Sequence, residues 1–261
     1  MSLFFSPMNP RIADWRGRSV WLIGASSGIG LATAHALHEA GARVVVSARK
    51  ADLLQHFVDE HLGAEAVVLD VHDSATIHTA AAYVQQHQGI DVVVYCAGYY
   101  QPVRATQYSL EEMLRHQEVN YMGAIRVLDA ILPALIARGA GHISLLASVA
   151  GFRGLPQSLA YGPTKAALIN LAEALYYDLH PLGIGVSLVT PGFVATPLTA
   201  HNDFVMPALI TPTQAAQAML RGWAEGVFQI HFPKRFTRVL KLLRLLPYRW
   251  YFAVVRRATG M

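Results

Sequence analysis

Short apolar runs alternate with longer amphipathic stretches from residue 19 onward. The runs are nearly continuous and rich in β-branched residues, which is typical of parallel strands covered on both faces. They fall at Ser19–Ile23, Arg43–Ser47, Ala66–Leu69, Asp91–Cys96, His142–Leu146, Ile184–Val189 and, as a last edge strand, Val227–Phe232. The stretches between them predict helices near Gly28–Ala40, Ala51–His61, Ser74–Gln88, Ser109–Ala137 and Ser158–His180.

This alternation predicts an α/β fold: a Rossmann-type, doubly wound, mostly parallel sheet of about seven strands with helices on both faces. The 261 residues contain no linker rich in glycine, serine or proline, so we expect one domain over residues 1–232. Residues 1–18 form an N-terminal extension of that domain, and residues 233–261 form a separate C-terminal tail. Pro133 is expected to kink the longest predicted helix.

The composition is that of a folded protein with a large core, because 53% of residues are hydrophobic and only 15% are charged. The single cysteine, Cys96, excludes a disulfide within the chain and suits a reducing compartment. No basic stretch followed by a long apolar run opens the sequence, so neither a signal peptide nor a spanning helix is expected. The sequence therefore favours a cytoplasmic protein.

The net charge of +4 is unevenly distributed. The tail after residue 233 holds 8 of the 21 basic residues and no acidic residue, which leaves 13 basic against 17 acidic residues before it. The high pI therefore belongs to the tail and does not indicate nucleic-acid binding by the whole chain. Leu240 and Leu243 fall on one side of a predicted basic helix that Pro247 ends. Such a helix suits a membrane surface, a subunit contact or a flap over the substrate site.

A glycine-rich turn separates the first predicted strand from the first helix. Gly24 permits a tight exit from the strand, Gly28 lets the backbone approach a pyrophosphate, and Gly30 lets the helix pack closely on the sheet. The free N–H groups at the helix start attract phosphate. This turn, in its context, predicts a dinucleotide site.

Tyr161 and Lys165 are four residues apart, so they share one face of a predicted helix. A phenol titrates near 10 and is a poor base at neutral pH. We expect the neighbouring ammonium to lower the pKa of Tyr161 and make it a usable general acid/base.

The order and spacing of these motifs resemble the short-chain dehydrogenase/reductase family, in the type with a Gly-x-x-x-Gly-x-Gly coenzyme turn and a Tyr-x-x-x-Lys active site. The resemblance implies a catalytic set in which Ser148, 13 residues before Tyr161, holds the substrate oxygen, and Asn120 binds a water that relays protons to Lys165. It also implies coenzyme contacts by these residues: Gly24, Ser26, Ser27, Gly28, Ile29, Gly30, Asp70, Val71, Ala97, Gly98, Tyr161, Lys165, Pro191, Gly192, Val194 and Thr196.

The sequence departs from the family pattern at two places. Ile23 stands where threonine is usual, and Tyr95-Cys96 replaces an Asn-Asn pair. The second change puts hydrogen bonds that stabilise the sheet in doubt, but it leaves the proton-transfer residues in place.

The residues at the end of the second predicted strand indicate which coenzyme is preferred. Ala48 occupies the position where members that prefer NAD(H) carry aspartate, and Arg49 follows at once. A guanidinium matches a 2′-phosphate, so NADP(H) is favoured over NAD(H).

The remaining features bear on the substrate and on assembly. Leu198–Leu209 occupies the place of the family's mobile lid, and its apolar residues favour an apolar or lipid-like carbonyl or secondary alcohol. Tyr99, Tyr100, Phe152 and Phe193 would extend that pocket. The resemblance implies a homodimer or homotetramer built on the long helices. The twelve histidines show no metal-binding spacing and are expected at the surface. A catalytically silent NADP(H) sensor or scaffold is the alternative function.

Overall fold

The structure is a computed structural model that describes residues 6–200, 202 and 204–260. Its centre is a seven-stranded sheet in the order β3-β2-β1-β4-β5-β6-β7, with all neighbours parallel. The strands are β1 (Ser19–Ile23), β2 (Arg43–Ser47), β3 (Glu65–Ala66), β4 (Val92–Tyr95), β5 (Gly141–Leu146), β6 (Ile184–Pro191) and β7 (Gln229–Phe232). The predicted architecture is confirmed. The strand order reverses between β1 and β4, which is where doubly wound sheets bind ligands.

The helices are α1 (Gly28–Glu39), α2 (Ala51–Glu60), α3 (Ser74–His87), α4 (Leu110–Gln117), α5 (Gly123–Arg138), α6 (Tyr161–Leu179), α7 (Pro212–Glu225), α8 (Lys234–Leu243) and α9 (Tyr248–Thr259). Two apolar cores form, one on each face of the sheet. Leu37, Phe57 and Trp223 bring α1, α2 and α7 into one core. The other core contains residues of α3, α5 and α6. The continuous apolar strands are therefore buried on both faces, as their sequences predict.

The longest predicted helix is divided. A π-helical turn, Glu118–Met122, separates α4 from α5, whereas Pro133 lies inside α5. The helix continues through Pro133, where the sequence predicts a kink, and the regular hydrogen-bond pattern is interrupted earlier, at the π-helical turn. This joined segment, Leu110–Arg138, is long and apolar enough to cross a membrane. Its buried side chains pack on the sheet, and a core helix of this kind can be as long and as apolar as a membrane-spanning helix.

Several other boundaries differ from the prediction. β3 was expected over Ala66–Leu69, but its ladder with β2 ends at Ala66, since only single bonds such as Leu69 N to Ala48 O continue along this edge. The last edge strand is shorter by two residues. The helix expected from Ser158 begins at Tyr161, because Ser158 forms a bridge with Val103.

The described part of the N-terminal extension packs against the domain. The Asn9 side chain donates to Val186 O at 2.8 Å and accepts from Val186 N at 2.9 Å. Trp15 meets Trp223 edge to face, with ring centroids 5.4 Å apart. Residues 9–15 thus cover one end of β6 and α7.

Candidate active site

The glycine turn brings the carboxyl ends of β1 and β4 together. Gly24 has a φ of +89°, and a Cβ on it would lie 2.4 Å from the backbone nitrogen of Ala97. A Cβ on Gly30 would lie 2.4 Å from the carbonyl oxygen of Gly24. Neither approach leaves room for a side chain, so both positions require glycine. The turn thereby fixes the start of α1 against the sheet.

A cavity of about 460 Å³ opens at this edge of the sheet. Its lining includes these residues of the predicted coenzyme set: Gly24, Ser26, Ser27, Gly28, Ile29, Gly30, Arg49, Val71, Ala97, Gly98 and Thr196. The methyl group of Thr196 faces Gly28 across it, 3.1 Å from where a Cβ would stand. The other four members outside the catalytic set, Asp70, Pro191, Gly192 and Val194, do not line this cavity.

The cavity has the charge and hydrogen-bonding groups that a dinucleotide requires. Ser27, the N-cap of α1, makes no side-chain cap hydrogen bond, and no acidic residue occupies the first turn. The first amides of α1 are therefore free of side-chain caps and suit a phosphate. Arg49 and Lys50 add two exposed cations to the lining. The residues present thus fit a phosphorylated coenzyme.

Lys165 is buried, with 3% of its surface exposed, and its Nζ donates to the carbonyl oxygen of Leu146 at 2.8 Å. The same Nζ lies 5.4 Å from the ring centroid of Tyr161. Burial lowers the pKa of Lys165 to about 8, because desolvation disfavours the ammonium. The charge of Lys165 therefore depends on pH within the neutral to alkaline range.

Tyr161 begins α6, and its phenol oxygen is hydrogen-bonded to the Ser148 hydroxyl. Burial raises the pKa of Tyr161 to about 12, and the bond from Ser148 opposes that rise only in part. The expected lowering by Lys165 is wrong for this structure. Lys165 directs its ammonium to a backbone carbonyl, so desolvation of the phenol dominates. Tyr161 is consequently a protonated phenol at neutral pH.

Asn120 lies in the π-helical turn and is fully buried. Its side chain accepts from the backbone nitrogen of Tyr99 at 2.7 Å and donates to the backbone oxygen of Tyr99 at 3.0 Å. It also donates to the Thr164 hydroxyl at 3.1 Å. Asn120 thus ties the strand exit after β4 to the first turn of α6. π-turns interrupt helices mostly at functional sites.

Gly98 is the point where the coenzyme cavity meets the catalytic residues. A Cβ on Gly98 would lie 3.6 Å from Asn120 Oδ1 and 3.9 Å from Lys165 Nζ. The Asn120 amide and the Lys165 ammonium therefore face the same small volume, behind a residue that also lines the cavity. The structure brings all four predicted catalytic side chains to the edge of the sheet that carries the glycine turn.

Tyr95 supplies a hydrogen bond at the departure from the family pattern. Its hydroxyl donates to the carbonyl oxygen of Val119 at 2.5 Å, and the same hydroxyl oxygen occupies the space that a side chain on Gly123 would fill. Burial raises the pKa of Tyr95 strongly. The tyrosine thereby links β4 to the turn that carries Asn120.

Two histidines contradict the expectation of surface positions. His116 is fully buried, accepts from Gln101 N at 3.0 Å, and lies 6.4 Å from the Tyr161 ring, centroid to centroid. Its pKa is lowered by burial. His142, 3% exposed, is held in β5 beside Ser187 at 2.9 Å. The lowered pKa values keep both neutral at pH 7. His116 holds the backbone of Gln101 near the site, whereas His142 bonds to the Ser187 side chain of β6.

Arg153, which no motif singles out, holds the tail against the catalytic loop. Its Nη1 donates to the carbonyl oxygens of Arg244 at 3.1 Å and Leu246 at 2.6 Å. Its guanidinium also lies over the rings of Tyr248 and Tyr251, at 4.5 and 4.2 Å. The 3-10 turn that follows Ser148 thus leads directly to the contact with α9.

The family comparison agrees with this geometry. The family model described as "short chain dehydrogenase" matches residues 18–203. An "uncharacterized oxidoreductase" of Myxococcus xanthus (strain DK1622) is 34% identical over 251 residues, which cover 94% of this chain and 99% of that protein.

Two solved structures are similar along most of the chain. A short-chain dehydrogenase from Streptomyces avermitilis superposes with a TM-score of 0.78 at 27% identity, over 93% of this chain and 98% of that one. An actinorhodin polyketide ketoreductase variant, solved with NADPH, gives a TM-score of 0.75 at 26% identity, over 82% of this chain and 95% of that one.

A doubly wound sheet with a glycine-rich dinucleotide turn beside a Tyr-x-x-x-Lys helix defines a class of oxidoreductases that use nicotinamide coenzymes. Within that class, the chain belongs to the short-chain dehydrogenase/reductase family.

Proposed function

We propose that this oxidoreductase uses NADPH to reduce the carbonyl group of an apolar substrate. The observation that carries the proposal is the meeting of the Tyr161 phenol, the Ser148 hydroxyl and the Lys165 ammonium at one point beside the dinucleotide cavity. A silent sensor or scaffold would bind coenzyme without needing these groups together.

The phenol is suited to donate a proton. When bound, the nicotinamide coenzyme would supply a hydride to the carbonyl carbon. Tyr161, protonated at neutral pH, gives its proton to the carbonyl oxygen. The Ser148 hydroxyl is placed to hold that oxygen and stabilise its developing negative charge. Lys165, charged below pH about 8, holds its Nζ 5.4 Å from the Tyr161 ring centroid. A protonated acid at rest is the state that reduction requires.

The preference for NADPH rests on the cavity rim. Arg49 and Lys50 are exposed there, and Ala48 offers no carboxylate to a ribose hydroxyl. A guanidinium binds phosphate with paired hydrogen bonds. These residues would bind the 2′-phosphate.

The apolar substrate is supported by aromatic side chains around Tyr161 and along the neighbouring loop. Tyr100 lies edge to face with Tyr161, with ring centroids 5.0 Å apart. Phe193 contacts Phe204 and Phe236, each at 5.7 Å between centroids. Of the lid over Leu198–Leu209, His201 and Asp203 lie outside the described residues. The described part keeps Phe204 beside the loop that follows β6.

The test is oxidation of NADPH and NADH in the presence of ketones and aldehydes of increasing apolar size. We expect turnover with NADPH that rises with substrate size and falls by about 10² to 10⁴ in Tyr161→Phe. Tyr177→Phe is the matched control, because Tyr177 lies on the same helix and is 79% exposed. Arg49→Ala should weaken NADPH binding more than NADH binding. Tight NADPH binding without turnover on any carbonyl would favour the sensor instead.

A further inference from the structure

Helices α8 and α9 are held to the domain by one side only. Phe236 packs on Phe193, and Tyr251 is buried while its hydroxyl donates to the carbonyl oxygen of Gly154 at 2.8 Å. Arg153 holds the turn between the two helices. These contacts fix which face of the tail points outward. They also place the tail at the carboxyl edge of the sheet, where β5 and β6 lead into the site.

The outward face of α8 and of the turn after it is apolar. Val239 is 55% exposed, Leu242 66% and Leu245 78%. The exposed cations Arg238 and Arg244 adjoin Val239 and Leu245 in the chain. Burying such side chains removes apolar surface from water and is favourable, so a monomer in water gains nothing from displaying them. Clustered exposed apolar side chains mark an interaction surface.

The outward face of α9 combines aromatic rings with arginines. Tyr248 and Phe252 stack at 5.9 Å between centroids, and Trp250 is 67% exposed. The exposed cations Arg249, Arg256 and Arg257 lie among them. Tryptophan and tyrosine suit the boundary between water and hydrocarbon, and long arginine side chains reach from it to headgroups.

The charge decides between a bilayer and a second copy of the chain. A symmetric contact would place this face against itself, and therefore its arginines against those of the second copy, since no acidic residue follows Glu225. Anionic headgroups complement the same charge. A nucleic acid would also accept the cations, but it would leave Leu242 and Leu245 without an apolar partner.

We propose that the tail, residues 233–260, docks this enzyme on the surface of a bilayer that contains anionic lipid. Exposed lid residues extend the surface, because Val205 is 92% exposed and Phe204 contacts the Phe193 that also holds α8. The docking face therefore borders the loops that follow β5 and β6. An apolar substrate dissolved in the bilayer would then enter without crossing water. Docking itself does not depend on the proposed reduction.

Flotation of the full chain with vesicles tests the proposal. One set contains phosphatidylcholine alone, and the other an equal mixture with phosphatidylglycerol. Trp250 reports the contact, because Trp15, Trp21 and Trp223 are at most 4% exposed. We expect binding to the anionic set, a blue shift of the emission, and quenching by brominated lipid. Trp250→Phe should still bind and should lose the signal.

Two double variants identify the surface. Arg249→Glu with Arg256→Glu should weaken binding by at least about 30-fold, from the loss of two cations near an anionic surface, and the two added carboxylates should weaken it further. Arg11→Glu with Arg221→Glu makes the same change in net charge at exposed residues outside the tail and should bind as the wild type does. Circular dichroism must show both folded.

Three results would overturn the proposal. One is that the wild type stays unbound to anionic vesicles while Trp250 emission is unchanged. Another is that the two charge variants weaken equally, which would mean a response to net charge alone. The third is that light scattering finds an oligomer that Leu242→Ser with Leu245→Ser converts to monomers, which would assign this face to a subunit contact.

Discussion

The buried ammonium of Lys165 should limit activity at alkaline pH. Its pKa is about 8, so the charged fraction falls about tenfold between pH 7 and pH 9. Over that range Tyr161, with a pKa of about 12, remains protonated. We therefore expect kcat/KM for the coenzyme to fall about tenfold along a single limb with its midpoint near pH 8, since this parameter reports ionisations of the free enzyme.

A pH profile with its midpoint near 8 could also arise from titration of Cys96, because an ordinary thiol titrates near 8.5. Burial raises the pKa of Cys96 to about 12. Cys96→Ala should therefore keep the limb, whereas Lys165→Met should retain a low activity that is independent of pH. A flat wild-type profile between pH 7 and 9.5, or a limb that survives in Lys165→Met, would refute this assignment.

The lowered pKa of Lys165 also predicts how the stability of the protein depends on pH. Because the pKa of Lys165 is lowered from 10.5 to about 8 on folding, the unfolded chain binds more protons between these values. The contribution of Lys165 to the free energy of unfolding should therefore rise with pH in that window, by about 2 kcal/mol from pH 8 to 10. Cys96 and Tyr161, whose pKa values are raised by burial, oppose this trend in the total free energy from about pH 9 upward, so the Lys165 contribution is read from the difference between wild type and a variant. Urea unfolding of wild type and Lys165→Met measures the difference in slope.

Three further changes have defined outcomes. The pKa of His142 is lowered to about 4, so between pH 7 and 4 the unfolded chain binds a proton at this residue that the folded chain does not. The contribution of His142 to the free energy of unfolding should therefore fall by about 3 kcal/mol from pH 7 to 4. An equal loss in His142→Gln, measured by urea titration, would contradict this. Gly24→Ala would drive a Cβ into Ala97, so thermal stability and NADPH affinity by fluorescence should both fall. Asn120→Ala removes three buried hydrogen bonds, and we expect a loss of about 1 to 3 kcal/mol in chemical denaturation, whereas unchanged stability would mean that the turn holds without them.

Local rules made the sheet and the glycine turn predictable. Strands such as β1 and β6 are buried on both faces, so successive residues are mostly apolar and the run can be recognised in the sequence. Gly24 and Gly30 were predictable because a close backbone approach excludes any side chain there. The spacing of Tyr161 and Lys165 likewise predicted that they are neighbours on one helix.

Long-range contacts explain what the sequence could not predict. Helical spacing does not show that the Lys165 ammonium bonds to Leu146 or that the Tyr161 phenol is desolvated. The direction of the Tyr161 pKa shift was therefore predicted wrongly. The π-turn at Asn120 adds a residue to one turn without an obvious local signal. His142 appeared to be a surface histidine at the start of a strand, yet β5 lies between β4 and β6 and its side chain is enclosed.

Arg153 makes the position of the tail and the shape of the site depend on each other. It ends the short segment that begins at Ser148, and its donors are occupied by carbonyl oxygens of the turn between α8 and α9. A force that moves the turn must therefore break these bonds or move the segment with it. Ser148 hydrogen-bonds to Tyr161, so such a movement reaches the proton donor within one further contact. A surface that binds the tail in its present position would hold Ser148 and Tyr161 in theirs.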